Sequence, residues 1–231
     1  AGGSVRSFGV GEHGRLGHGS ESNEMVPRLI AHLEQVVAVA AGGCHSMALS
    51  AEGHVFTWGW CMHGRLGHGD ENNRLVPTRV ESLVGVSGIA AGYSHSLAVV
   101  GGTGAVYSWG AGDRGQLGLG DTNNRDVPEV VPGLGGVVAV EAGGAHSLAL
   151  DRDGTLRSWG NNGPGQLGLG DKQNRSSPTV VAGLRLREAN QEVLLQLVAV
   201  LRGRNSATPM PRPGGGQGDT RRPPSRRAGE L

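Results

Sequence analysis

Residues 40–59 read Ala-Ala-Gly-Gly-Cys-His-Ser-Met-Ala-Leu-Ser-Ala-Glu-Gly-His-Val-Phe-Thr-Trp-Gly, and this stretch decides the fold because it recurs. It returns at 90–110 as AAGYSHSLAVVGGTGAVYSWG and at 141–160 as EAGGAHSLALDRDGTLRSWG. Between the copies lie glycine loops: GEHGRLGHG at 11–19, WCMHGRLGHG at 60–69, AGDRGQLGLG at 111–120 and NNGPGQLGLG at 161–170. Gly14, Gly64, Gly115 and Gly165 step by 50, 51 and 50 residues. Phe8, Trp58, Trp109 and Trp159 keep that register, as do Pro27, Pro77, Pro128 and Pro178 and the histidines His45, His95 and His146. A period of this length is one supersecondary unit, repeated so that neighbours cover each other's apolar faces.

Each unit reads as four short strands separated by glycine turns. In one unit these are Val36–Ala41, Ser46–Leu49, His54–Trp58 and, after the loop at 59–75, Val76–Val80. Alternation in Val55-Phe56-Thr57-Trp58 suits a half-buried strand, and the β-branched run Val36-Val37-Ala38-Val39 a buried one. Glu52-Gly53, Gly102-Thr103-Gly104 and Asp153-Gly154 supply hairpin turns. A four-stranded unit of this size is a propeller blade. The expected fold is all-β, a partial β-propeller of about 3.5–4 four-stranded blades.

The three His-Ser blocks, each running into a GxLGxG loop and a proline, resemble the repeats of the regulator of chromosome condensation (RCC1-type) family over residues 4–184. The resemblance implies a seven-bladed ring whose sequence repeat is offset from its blades. Kelch repeats share the period, but the Gly-Gly-x-His-Ser-Leu-Ala-Leu pattern argues against them. A photoreceptor role within the family rests on Trp and Arg clusters around Gly-Trp-Arg-His-Thr. Here Gly-Gly-Cys-His-Ser, Gly-Tyr-Ser-His-Ser and Gly-Gly-Ala-His-Ser stand instead.

With three full His-Ser units, the chain holds about half of such a ring, so apolar end faces and strand edges need a cover. A second copy closing the ring as a homodimer is one cover; missing sequence or a polar cap is another. The organisation read from the sequence is repeats over 1–184, a divergent segment over 185–202 and a Gly/Pro/Arg-rich tail over 203–231 expected to be disordered. In the divergent segment, Leu197–Val200 looks like a displaced strand, or Glu188–Leu201 like a helix capping the last blade.

Glycine supplies 43 of 231 residues and aromatics only 3%, which excludes an ordinary Leu-rich helical globule. The net charge of +1 hides two parts: residues 1–184 carry −4 and residues 185–231 carry +5. An acidic body argues against nucleic acid spread across the repeats and leaves only the basic tail for it. No run approaches the roughly 18 apolar residues of a membrane span, and no secretory leader opens the chain. The expected setting is intracellular, in cytoplasm or nucleus, with no membrane partner. Cys44 and Cys61 form neither a disulfide framework nor a zinc pattern. The start at Ala1 suggests a partial or processed product.

Several motifs invite chemistry and have plainer readings. Gly9–Gly14 and Gly110–Gly115 match G-x-G-x-x-G, but each precedes a turn and a proline rather than a helix, so they cradle no phosphate. His45, His95 and His146 recur once per unit, which marks them as structural, satisfying backbone groups beside the glycine turns. His13, His18, His63 and His68 are replaced in the later copies and form no repeated ligand set. Trp58, Trp109 and Trp159 are read as packing between blades. Asn174-Arg175-Ser176 fits a glycosylation acceptor by chance. Asp70, Asp121 and Asp171, with the Asn-Arg pairs beyond them, read as turn formers and ion-pairing positions.

No nucleophile–base pair, carboxylate pair, metal set or cofactor motif stands out. The function read from the sequence is a non-enzymatic protein-interaction scaffold. Its candidate partner-binding rim is the set that varies among copies: Glu12, His13, Arg15, His63, Arg65, Arg74, Asp113, Arg114 and Asn162, with Glu21 and Glu71 beyond. The resemblance adds guanine-nucleotide exchange on a Ran-like small GTPase, although the even spacing leaves no room for an inserted wedge hairpin. It also adds the substrate-recruiting module of a ubiquitin ligase or kinase.

Overall fold

The structure is a computed structural model that describes residues 3–185. It contains three four-stranded antiparallel sheets and one two-stranded sheet. The two-stranded sheet pairs β1 (Arg6–Gly9) with β2 (Glu24–Leu29). The first full sheet holds β3 (Val36–Ala41), β4 (His45–Ser50), β5 (Val55–Gly59) and β6 (Arg74–Arg79). The second holds β7 (Val86–Ala91), β8 (His95–Val100), β9 (Val106–Gly110) and β10 (Arg125–Val130). The third holds β11 (Val137–Ala142), β12 (His146–Asp151), β13 (Thr155–Gly160) and β14 (Arg175–Arg185). Strands follow chain order within every sheet, the up-and-down pattern of a propeller blade. Among the described residues there are thus three blades and a half, all-β as read from the sequence, with single-turn 3₁₀ segments at Glu12–Gly14 and Met62–Gly64. The displaced strand at 197–200, the alternative helix at 188–201 and the tail at 203–231 lie outside the described residues.

The strand ends sit within two residues of their expected positions. β6 begins at Arg74 rather than Val76 because the pairing across the loop is bulged, with Gly59 opposite Arg74 and Thr57 opposite Thr78. Among the described residues no helix is long and apolar enough to cross a membrane.

The core is a series of seams between blades. Strand β7 packs against β3 and β4 of one neighbouring blade, and β7 and β8 together pack against β11 of the other. One apolar cluster joins Met47, Leu49, Val55, Val80 and Leu83 to Ala98 and Trp109; the next joins Leu97, Val99 and Val106 to Val137, Val140 and Trp159. Trp58, Trp109 and Trp159 are all buried, each able to remove on the order of 200 Å² from water. Phe8, at the same repeat position, is 64% exposed, because among the described residues no further blade packs against the half-blade. Val10 and Met25 of that first unit and Val37 and Val39 of β3 are exposed too.

A polar chain crosses each seam beside the tryptophan. His45 Nε2 lies 3.0 Å from Ser96 Oγ, and His95 Nε2 2.9 Å from Ser147 Oγ. Ser96 donates its proton to Arg65 O at 2.8 Å and Ser147 to Gln116 O at 2.7 Å. Since the hydroxyl proton goes to the carbonyl, the histidine Nε2 must be the donor, which leaves Nδ1 as the unprotonated acceptor. Burial with no partner at Nδ1 holds His45 and His95 neutral, their pKa values lowered to about 3. The histidines thus meet the next blade's serine rather than the backbone groups anticipated from the sequence. Their imidazoles fill the space beside the turn glycines, where a Cβ at Gly42 or Gly92 would stand 2.3 or 2.2 Å from the ring.

Candidate protein-interaction face

Register places every glycine loop at one end of the sheets. His45 pairs with Gly59, His95 with Gly110 and His146 with Gly160. The turns 42–44, 92–94 and 143–145 therefore share one face with the long loops that join β1 to β2, β5 to β6, β9 to β10 and β13 to β14. The hairpins near Gly53, Gly102 and Gly154 close the opposite end.

The loops are held by the same bonds in each copy. Asn23, Asn73, Asn124 and Asn174 accept from the backbone N–H of Gly11, Cys61, Gly112 and Asn162 at 2.8–3.0 Å. Ser7, Thr57, Ser108 and Ser158 donate to the carbonyls of Leu16, Leu66, Leu117 and Leu167. Arg74, Arg125 and Arg175 reach Asp70, Asp121 and Asp171 at 2.8, 2.8 and 2.5 Å. Those aspartates also accept from the backbone two residues on. The arginine bond first, then that N–H, pulls Asp70 to about 2. Arg74, read as a rim residue, is thus tied down within its own loop.

The remaining rim candidates divide by burial. Glu12, Asp113 and Arg114 are exposed, as are Glu21 and Glu71; His13, Arg15 and His63 are half-buried. Arg15 holds Glu12 at 3.0 Å, and Asp113 accepts from Gln116 Nε2 at 3.0 Å. His63 takes a left-handed backbone and its Nδ1 accepts from Asn124 Nδ2 at 3.2 Å. Arg65 and Asn162, expected on the exposed rim, are buried. Arg65 folds inward, donating to Met62 O at 2.8 Å and Tyr93 O at 3.4 Å, and burial lowers its pKa. Asn162 occupies the position of Gly11, Cys61 and Gly112, and its amide bonds Asp171 O and Leu167 N inside the loop.

Three further residues on this face escaped the sequence reading. Trp60 stacks on His13, centroids 4.8 Å apart and 13° from parallel, and the Arg65 guanidinium lies 4.8 Å over the Trp60 ring. Met62 and Tyr93 are exposed beside it, at 41% and 47%. The signal was departure from the repeat: the other copies have Val10, Ala111 and Asn161 where Trp60 stands, and Gly43 and Gly144 where Tyr93 stands. Among the described residues no three His, Cys, Asp or Glu side chains converge as a metal site.

Comparison with known proteins places this architecture. The chain is 40% identical over 161 residues to the E3 ubiquitin-protein ligase HERC2 of Homo sapiens, a match that covers 67% of the chain and 3% of HERC2. It is 37% identical over 157 residues to the ultraviolet-B receptor UVR8 of Arabidopsis thaliana, covering 66% of the chain and 36% of UVR8. Among solved structures, human WBSCR16 superposes with a TM-score of 0.67 at 26% identity, over 76% of this chain and 46% of that one. Prp20p of Saccharomyces cerevisiae, described with its binding properties to Gsp1p and histones, superposes at 0.69 with 22% identity, over 86% of this chain and 56% of that one, a likeness of fold. The chain therefore spans well under two thirds of each of these proteins. The RCC1-like domain family matches residues 1–202, and the chain belongs to that family.

Proposed function

We propose that the chain is a non-catalytic protein-interaction surface that works through its loop face. The carrying observation is a division of labour among residues. Those that repeat, His45, His95, Trp58, Trp109 and Trp159, are consumed in the seams, whereas Glu12, Asp113 and Arg114, which vary from copy to copy, stand exposed on the loops. A rigid scaffold that displays variable loops recognises a partner by shape and charge. The test is pull-down with the purified chain beside its Asp113→Lys/Arg114→Glu variant. The reading expects partners captured by the parent to be lost by the variant while both melt at the same temperature. Identical capture by both would move the binding function off this face.

A second reading, the recruiting module of a larger ligase, is favoured by the HERC2 match, whose aligned segment is 3% of a very long chain. It is separated from the first by the captured proteins: ubiquitin-ligase substrates accumulate when the parent chain is expressed as a competitor. Exchange on a Ran-like GTPase is the third reading. Release of labelled GDP at the uncatalysed rate in the presence of the chain would remove it, and acceleration would place it first.

A further inference from the structure

The second glycine loop departs from its siblings in a way that leaves a positive charge without a counter-charge. In the first loop Glu12 and Arg15 form an ion pair at 3.0 Å, and in the third Asp113 and Gln116 form a hydrogen bond at 3.0 Å. The second loop keeps the arginine, Arg65, and replaces the acid by Met62. Among the described residues no carboxylate comes within ion-pair distance of Arg65; its contacts are two carbonyl oxygens and the Trp60 ring. Carbonyl dipoles and a π face only partly offset a guanidinium that is 1% exposed.

Around this charge stand three large residues that the repeat does not require: the Trp60 ring faces the guanidinium, and Met62 and Tyr93, exposed themselves, give it their carbonyls. Trp60, Met62 and Tyr93 replace smaller or acidic residues in every other copy, so the packing common to all the blades does not require them. Gly43 opens the space that Tyr93 uses, since a Cβ there would stand 2.8 Å from the ring. Tryptophan, tyrosine, methionine and arginine together are the composition of an interface centre. We infer that the Trp60–Met62–Tyr93 patch, with Arg65 beneath it, docks an acidic segment of a protein partner, whose carboxylates answer Arg65 while apolar neighbours cover Met62 and Tyr93. This deepens the interaction-face reading and rests on it.

Charge complementarity selects the acidic partner. Arg65 is too deep to be the rim of a contact, so its guanidinium acts on a docked carboxylate through its field rather than by a direct bond. Nucleic acid is the poorer fit, because tracking phosphates needs several clustered cations, and the nearby Arg15 is already held by Glu12.

The experiment follows the four indole N–H signals of the ¹⁵N-tryptophan-labelled chain, with the Trp60 signal assigned by its loss in Trp60→Phe. The probe is the peptide acetyl-Asp-Glu-Leu-Asp-Glu-Leu-Asp-Glu-amide; the controls are its counterpart with lysine at every acidic position and the oligonucleotide dT8. The acidic peptide is expected to move the Trp60 signal saturably. Tyr93→Gly, which restores the repeat residue, weakens binding at least tenfold, and Met62→Glu, which restores the internal acid, about fivefold. Unchanged Trp58, Trp109 and Trp159 signals show that both variants keep their seams. A Trp60 signal unmoved by the peptide overturns the inference, as does Met62→Glu binding as tightly as the parent, or dT8 or the lysine peptide binding equally well. If the peptide fails while Asp113→Lys/Arg114→Glu still abolishes capture, the acidic-segment inference falls and the interaction face stands.

Discussion

Trp109 and Phe8 occupy one position of the repeat and have opposite fates. Trp109 is 0% exposed between two complete blades, whereas Phe8 is 64% exposed at the open half-blade. Their own strands are alike: each aromatic precedes a glycine and a glycine loop, and each loop is pinned by a hydroxyl to a leucine carbonyl. What differs is the neighbour. In a repeat array burial belongs to the seam and not to the strand, so the same residue type contributes a great deal inside and little at an end. The polar chain shows the same contrast. Ser96 and Ser147 each meet a histidine from the preceding blade, while among the described residues no histidine reaches Ser46, which only donates to Arg15 O at 3.0 Å.

The strongest way to break the comparison is Trp109→Ala. Removing a side chain fully buried in a seam should cost roughly 3–5 kcal/mol. Among the described residues the indole Nε1–H has no hydrogen-bond partner, unlike those of Trp58 and Trp159, which donate to Arg15 O and Gln116 O, so the loss is one of packing and volume. Urea denaturation with an unchanged m-value and a lower midpoint is the expected record. A variant as stable as the parent would mean that the seams do not hold the blades together.

The seam histidines give the next effect, through pH. His45 and His95 titrate near 3 when folded and near 6.5 when unfolded, so between these values the unfolded chain binds more protons. Stability is therefore greatest above pH 6.5 and falls as pH is lowered towards 3. The two together should remove about 2–3 kcal/mol between pH 7 and pH 5.5, at roughly 1.4 kcal/mol per unit for each group. Burial lowers His146 in the same direction. Melting curves at the two pH values check this, and His95→Gln, which keeps a donor for Ser147, should shrink the difference by about half. A pH-independent midpoint would refute the neutral, buried histidines.

Glycines sharpen the comparison at smaller scale. Gly118 and Gly133 both hold a left-handed backbone, φ +73° and +74°. A Cβ on Gly118 would stand 2.7 Å from Trp159 Nε1, while nothing lies within 4 Å of one on Gly133. Gly133→Ala should cost only the backbone strain of roughly 1–2 kcal/mol. Gly118→Ala adds displacement of the tryptophan, bringing the total to about 2–4 kcal/mol. The excess of one over the other in thermal melting measures what close approach across the seam is worth.

Much of this was legible in residues 40–59 and their copies, because period, glycine spacing and alternation are local and repeat-wide signals. The strand assignments followed, as did a count of about 3.5–4 blades. The partner of each seam histidine was not legible, since Ser96 lies 51 residues from His45 and only the stacking of blades joins them. Variability among copies does not by itself mark the surface: Arg65 and Asn162 differ from copy to copy and are buried. Arg65 bonds Met62 O just as Arg15 bonds Glu12 O, and what buries it is the Trp60 ring and the Tyr93 carbonyl, while Asn162 replaces small buried residues with an amide that bonds the loop from within. Trp60 and Tyr93 were missed because attention to what repeats hides the residues that break the repeat.

Phe8→Ala carries the smallest effect and tests the comparison most directly. An aromatic ring that remains mostly in water on both sides of the unfolding transition has little apolar area to lose, and its truncation should change stability by within about 0.5 kcal/mol. Set against Trp109→Ala, measured in the same denaturant series, the pair isolates the contribution of a neighbouring blade with the repeat position held constant. A Phe8→Ala loss approaching that of Trp109→Ala would show that Phe8 is covered in solution. The cover would have to be a blade-like surface seated on β1 and β3, because those strands carry the exposed Phe8, Val37 and Val39 that such a surface would bury.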